Sequence, residues 1–265
     1  MLWVRWSGWN TLLVGAAISL IPGLWPIAAM AAPAQTESGQ LLAKRPRNAT
    51  GGTESLGRRG GCPVGDRGLR VLIPTTDPGL TTENYPTFWF YLPFGQTKAN
   101  PAKNVTSDIT HAEFALLDDK GSLVISKPLL LTLPAKSGIV KLTLPASEKP
   151  LKVGKDYNWH FSIVCDANQP SANPTVSGWL TRVEASSRLV SQLKAVPSQD
   201  QYLAYKENNL WFEHVSQLAA FRGKHPEAWA QVLKTFGLED QAQAPIETLK
   251  PDLRKTSVEE DDIPL

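Results

Sequence analysis

Residues 157–165, Tyr-Asn-Trp-His-Phe-Ser-Ile-Val-Cys, alternate between large apolar and mostly polar side chains. At the two-residue period of a strand, Tyr157, Trp159, Phe161, Ile163 and Cys165 share one face, and Asn158, His160 and Ser162 share the other. One face is therefore core. Further short runs occupy 69–73, 87–92, 111–117, 122–126, 129–133, 139–144 and 176–183, punctuated by proline, glycine and aspartate. Seven or eight such runs predict a mainly β fold, an antiparallel immunoglobulin-like sandwich. Residues 151–157 have the layout of the corner before a penultimate sandwich strand, where the Tyr157 hydroxyl bonds back to the backbone. The run 87–92 is apolar on both faces. If Phe88, Phe90 and Leu92 face inward, Trp89 and Tyr91 need cover, from a helical appendix or from a partner.

From 187 to 238 the period becomes helical, predicting a small three-helix, tetratricopeptide-like subdomain after the sandwich domain of 62–186. Asn208-Asn209 is a left-handed stop for the first helix, Leu210 opens the second, Pro226 starts the third and Gly237 ends it. Trp211, Val215 and Leu218 fall on one stripe, and Trp229, Val232, Leu233 and Phe236 on the next. A lone unit of this kind cannot bury both faces, so it packs on the sandwich or on a partner.

The ends read differently. Residues 1–10 carry the single charge of Arg5, and an apolar stretch follows up to small residues, with cleavage positions after Ala31 and after Ala34. This is the layout of a secretory signal over 1–34. The alternative is a retained anchor, since about 20 apolar residues can span a bilayer; Pro22, Gly23 and Pro26 oppose a regular helix there. Either way the rest of the chain lies outside the cytoplasm, and the membrane is touched only through an uncleaved leader. Residues 35–61, polar and glycine-rich, read as a flexible linker, and 239–265, with Glu259-Glu260-Asp261-Asp262, as a disordered acidic tail.

Export changes the meaning of Cys62 and Cys165, the chain's two cysteines. Outside the cytoplasm they are expected to pair, stapling the glycine-rich entry segment to the inward face of the strand that ends at Cys165. Charge excludes one class of partner. Removing Arg5 from the 27 Lys and Arg leaves 26 against 25 Asp and Glu, so no net field attracts nucleic acid.

Chemistry is sparse. His111, His160, His214 and His225 form no metal-ligand spacing, although His111 and Glu113 share a strand face. Asp118-Asp119 precede Gly121 in a turn, Lys136-Ser137-Gly138 reads as a hairpin and not a nucleophile elbow, and Arg58-Arg59 among glycines lacks the Lys-Ser/Thr ending of a phosphate loop. Asn48-Ala49-Thr50 and Asn104-Val105-Thr106 fit a glycosylation pattern. No catalytic set, cofactor or metal site is assembled from these residues.

Several landmarks together carry a family likeness: Pro86-Thr87-Phe88-Trp89-Phe90-Tyr91, Pro134 with Gly138-Ile139-Val140, and Val153-Gly154-Lys155-Asp156-Tyr157. To these are added Phe161 through Asp166, Gly178-Trp179 with Arg182-Val183-Glu184, and Asn209-Leu210-Trp211. From about Arg58 to Leu238 the chain resembles the exported, largely cyanobacterial family of domain of unknown function 928. The resemblance implies an envelope location, in the periplasm or at the cell exterior, and carries no active site. The expectation is a non-enzymatic protein-binding or assembly module with an envelope protein as partner, through Trp89, Tyr91 and Trp211. A carbohydrate-binding module stacking sugar on Trp89 and Tyr91 is the alternative, and an uncharacterised hydrolase the third choice.

Overall fold

Alternation governs the β region of the computed structural model, which describes residues 54–55, 62–63, 67–73, 79–100, 102, 105, 108–168 and 170–252, all within the unit Ala43–Leu265. The segment expected to be a leader (1–34) and nearly all of the expected linker (35–61) lie outside the described residues, as do Asn48, Asn104 and residues 253–265. Among the described residues no helix is long and apolar enough to cross a membrane.

One sheet contains β1 (Glu54–Ser55), β2 (Leu69–Val71), β4 (Thr87–Leu92), β7 (Gly138–Thr143) and β10 (Glu247–Thr248), in that spatial order. The other runs β11 (Lys250–Pro251), β6 (Leu129–Thr132), β5 (His111–Asp118), β8 (Lys155–Ile163), β9 (Thr175–Arg182) and β3 (Gly79–Thr81). Their inner faces meet in one core. Phe90 stacks on Phe161 at 4.1 Å, and Phe88 lies 4.8 Å from Phe114 and edge-on to Trp159. Trp159 fits because residue 178 is glycine; a Cβ there would lie 2.5 Å from the indole.

Both sheets are mixed, which corrects the antiparallel expectation. β3 runs parallel to β9, and β10 parallel to β7. These two pairs join strands far apart in sequence, so no hairpin dictates their direction. Residues 122–126 form no regular strand; they fold back on β5 through the Leu117 to Leu123 bridge. Other local readings hold: the Tyr157 hydroxyl accepts from the Lys152 N–H at 2.8 Å, and Cys62 and Cys165 are disulfide-bonded with Cα atoms 5.3 Å apart.

The helical part contains four α-helices: α1 (Ser187–Ala195), α2 (Gln201–Glu207), α3 (Trp211–Ala220) and α4 (Pro226–Lys234). The single helix expected before Asn208 is two. Pro197 forces Val196 into an extended conformation (φ −126°, ψ 152°) and ends α1. Asn209, at φ 58°, makes the left-handed stop, and Pro226 occupies the first turn of α4. α3 and α4 cover the outer face of the first sheet, so Leu72, Trp89, Tyr91 and Ile139 are buried with Val215, Leu218, Trp229 and Leu233. β4, at the centre of the first sheet, is thus buried on both faces.

The segment after α4 is a second correction. Polar though it is, 247–251 places β10 on one sheet and β11 on the other, and Leu249 between them enters the common core at 3% exposure. Backbone hydrogen bonds of this strap compensate for its polarity: Leu249 N–H donates to Lys141 C=O and Asp252 N–H to Leu130 C=O, each at 2.8 Å.

Candidate functional site

Where α3 crosses the end of β3, adjacent side chains of its first turn go to different places. Phe212 enters the core and meets Phe88 edge-on at 5.4 Å. It can do so because residue 79 is glycine, whose Cβ would lie 2.5 Å from the Phe212 ring. Glu213 turns to the segment that leaves β3. Its Oε1 accepts three hydrogen bonds: from Thr81 Oγ1 at 2.9 Å, Thr82 N–H at 2.6 Å and Thr82 Oγ1 at 3.0 Å. One turn later the Ser216 hydroxyl accepts from Trp89 Nε1 at 2.9 Å, and Gln217 Nε2 donates to Ser198 C=O at 2.6 Å. Between helix and segment lies a cleft of about 180 Å³, walled by Tyr85, Tyr205 and Phe212 and edged by Glu83, Glu213 and Gln217.

The carboxyl of Glu213 is the unusual group in this cleft. Only 6% of the residue is exposed, and Oε2 is buried with no hydrogen-bond partner. Burial pushes the Glu213 pKa above its ordinary value, against the donors from Thr82 and Thr81 that favour the anion. The Tyr205 phenol is also pushed up, first by burial and then by the negative fields of Glu213 and Glu83. A buried acceptor without a donor costs about 1–3 kcal/mol, which is a further reason for the carboxyl to hold a proton. Perturbed titratable groups lining a cleft mark candidate sites.

The region that holds the cleft also decides the family. The model of Domain of Unknown Function (DUF928) matches residues 54–246, from β1 to the residue before β10. The chain belongs to the DUF928 family. No curated protein matches the sequence.

The residues expected to meet a partner in this DUF928 chain are occupied internally. Trp89 and Tyr91 are 4% and 8% exposed beneath α3 and α4; Trp89 also meets Trp229 edge-on at 6.1 Å. Trp211 donates from Nε1 to Leu72 C=O at 2.8 Å and packs against both cores. The cover that Trp89 and Tyr91 required is therefore helical, and the three side chains join the layers instead of presenting a surface. Cys62 and Cys165 hold the entry segment beside the end of β8, with Cys165 buried.

His111 and Glu113 lie on the outer face of β5, opposite Thr132 and Leu130. Among the described residues no group of three or more His, Cys, Asp or Glu side chains is placed to hold a metal. The same sheet carries Trp179, level with Asn158 on β8, partly exposed and outside every core cluster. Sequence reasoning missed Glu213 entirely. A single carboxylate on an amphipathic helix reads as solvated, and its three donors sit about 130 positions away, beyond any local pattern.

Proposed function

We propose that this DUF928 protein is an exported, non-enzymatic binding module of the cell envelope that recognises another protein, with its two sheets in an immunoglobulin-like arrangement and its helices as a tetratricopeptide-like attachment. The supporting observation is the size of the cleft at Glu213. Pockets that hold whole metabolites run from about 300 Å³ upward, whereas about 180 Å³ suits a single protruding side chain. Leu203 on α2 and Val190 on α1, 47% and 38% exposed, supply apolar surface on the helical layer for the rest of such a contact. The leader-like amino terminus and the Cys62–Cys165 disulfide support the envelope setting. A photo-crosslinking residue placed at Gln217 or at Leu203 in the exported protein is expected to trap one stoichiometric partner that the same residue at Ser177, on the outer sheet face, does not. Equal trapping at all three positions, or none, removes the reading.

Trp179 favours a carbohydrate-binding module as the second reading. Its partly exposed indole stands beside Asn158 and His160, and aromatic faces with polar neighbours suit sugar rings. Titration with cell-wall and exopolysaccharide fragments, followed by tryptophan fluorescence, is expected to respond in the native protein and not in Trp179→Ala; identical traces discard it. A hydrolase ranks third. Glu83 and Glu213 are two carboxyls on one cleft, the feature that would serve such a reaction.

A further inference from the structure

We infer that the outer face of the second sheet, around His160, binds a neutral oligosaccharide whose hydroxyl groups donate to His160 Nδ1 and Ser162 Oγ while one pyranose ring stacks on Trp179. The inference rests on the carbohydrate reading of Trp179 above and is independent of the protein contact at the Glu213 cleft.

The hydrogen bonds on this face spend its hydrogens and leave acceptors. Asn158 Nδ2 donates to Gly178 C=O at 3.0 Å, which fixes the amide so that its Oδ1 accepts from His160 Nε2. An amide oxygen has no hydrogen to give, so the imidazole hydrogen is on Nε2. Burial lowers the His160 pKa, so at neutral pH the ring is uncharged and Nδ1 carries a lone pair. Nδ1 bonds to none of the described residues and is not one of their buried unpartnered atoms, so it opens to solvent. Two residues further along β8, the same bookkeeping applies to Ser162. The Thr175 hydroxyl donates to Asn173 C=O at 3.1 Å, so the 2.7 Å bond between Ser162 Oγ and Thr175 Oγ1 uses the hydrogen of Ser162. Ser162 Oγ is left as an acceptor too. Ser177, directly opposite His160 on β9, keeps its hydroxyl for whatever lies on the face.

Strand register sets these groups in line. Trp179 stands opposite Asn158, Ser177 opposite His160 and Thr175 opposite Ser162, while β5 places only the methyl of Ala115 on the other side of His160. From the level of Trp179 to that of Ser162 is four residues, about 13 Å at the rise of a strand and more than one sugar ring. Ala115 and Ser177 keep the middle of this row shallow, so a ligand lies flat across it. Fixed acceptors beside an indole select a ligand that brings several O–H donors together with an apolar C–H face, which is the chemistry of a pyranose. Charge narrows the class. The outward side chains of β5, β8 and β9 include the carboxylates of Glu113 and Asp156 and neither lysine nor arginine, so a uronate is repelled. Asp156 is engaged by Thr181 Oγ1, and Glu113 stands opposite Ser162 at the end away from Trp179, so a cation gains least where stacking is best.

The test titrates the disulfide-bonded protein with cellotriose, maltotriose and mannotriose, with trigalacturonate, and with the permethylated form of whichever neutral trimer binds best. The Trp179 indole N–H and the Ser177 amide are followed by NMR. At least one neutral trimer is expected to saturate with a Kd on the order of millimolar, and to bind about fivefold or more tightly than trigalacturonate and than its own permethylated form, which has no hydroxyl to donate. His160→Ala is expected to weaken that binding by about three- to tenfold and Ser162→Ala by about two- to fivefold, the range of one neutral hydrogen bond each. Trp179→Ala is expected to abolish saturation. The probe series on the unaltered protein decides alone where a variant fails to fold. Permethylated trimer or trigalacturonate binding as well as the neutral trimer, or folded His160→Ala binding it undiminished, overturns the inference. If Trp179→Ala still loses the sugar in that case, the carbohydrate reading stands on stacking without hydroxyl recognition; if no neutral trimer moves either signal, both fall.

Discussion

Glu213 connects a loop to a helix through one oxygen and buries the other without a partner, so its ionisation acts on stability. Because burial raises its pKa, the folded chain holds this proton more tightly than the unfolded chain does. The penalty of its charge is absent below the ordinary value of 4.5 and complete above the raised folded value, so stability falls as pH rises across that window. Urea midpoints are expected to show this fall in the native protein and not in Glu213→Gln. The buried His214 and the half-buried His160 behave oppositely. Burial lowers both pKa values, so their contribution is intact above 6.5 and is lost as pH drops below it. For one such group the slope reaches at most about 1.4 kcal/mol per pH unit, and His160→Gln is expected to remove its share of the decline between pH 6.5 and 5. An unchanged profile in both variants would show that neither group senses the fold. None of this was legible in the sequence, where Glu213 and His214 are two polar letters inside a helix.

At the scale of elements, β4 is buried on both faces, which is why its every side chain is apolar after Thr87. Phe88, Phe90 and Leu92 enter the core between the sheets, and Trp89 and Tyr91 enter the layer beneath the helices. Trp89→Ala is expected to cost about 3–5 kcal/mol and to release α3 and α4 first, seen as faster amide exchange there than in β5 and β8. The same loss of protection across all elements at once would mean that the helices have no separate stability. The strap makes a second prediction: Leu249→Ala is expected to lower stability by about 2–5 kcal/mol in denaturant melts, although a polar tail was expected there. Of the longer strands, β5 and β8 declared themselves through period-two patterning and β4 as a continuous apolar run ended by Pro93. β3, β10 and β11 have two or three residues each, too short to show a period, and they exist because an edge strand offers them backbone partners.

For the whole molecule, the disulfide joins the entry of the β region to the end of β8 across a separation of 103 residues. Reducing it is expected to cost about 4–5 kcal/mol through the entropy of the unfolded chain, measured as the loss of urea midpoint with and without reductant. A loss under about 1 kcal/mol would mean that the unfolded chain is already constrained near those ends. Local signals written in the sequence alone include the alternation that makes two-faced strands, the Tyr157 corner, the Asn209 and Pro226 helix boundaries and the pairing of Cys62 with Cys165. Each depends on residues a few positions apart, or, for the disulfide, on there being two cysteines to pair. The tertiary structure alone decided that Trp89, Tyr91 and Trp211 lie between layers, that 247–251 closes both sheets, and that Glu213 meets Thr81 and Thr82 while one oxygen stays unpaired. Those outcomes depend on which faces finally meet, and burial and hydrogen-bond satisfaction at long range are properties of the packed chain and not of any segment within it.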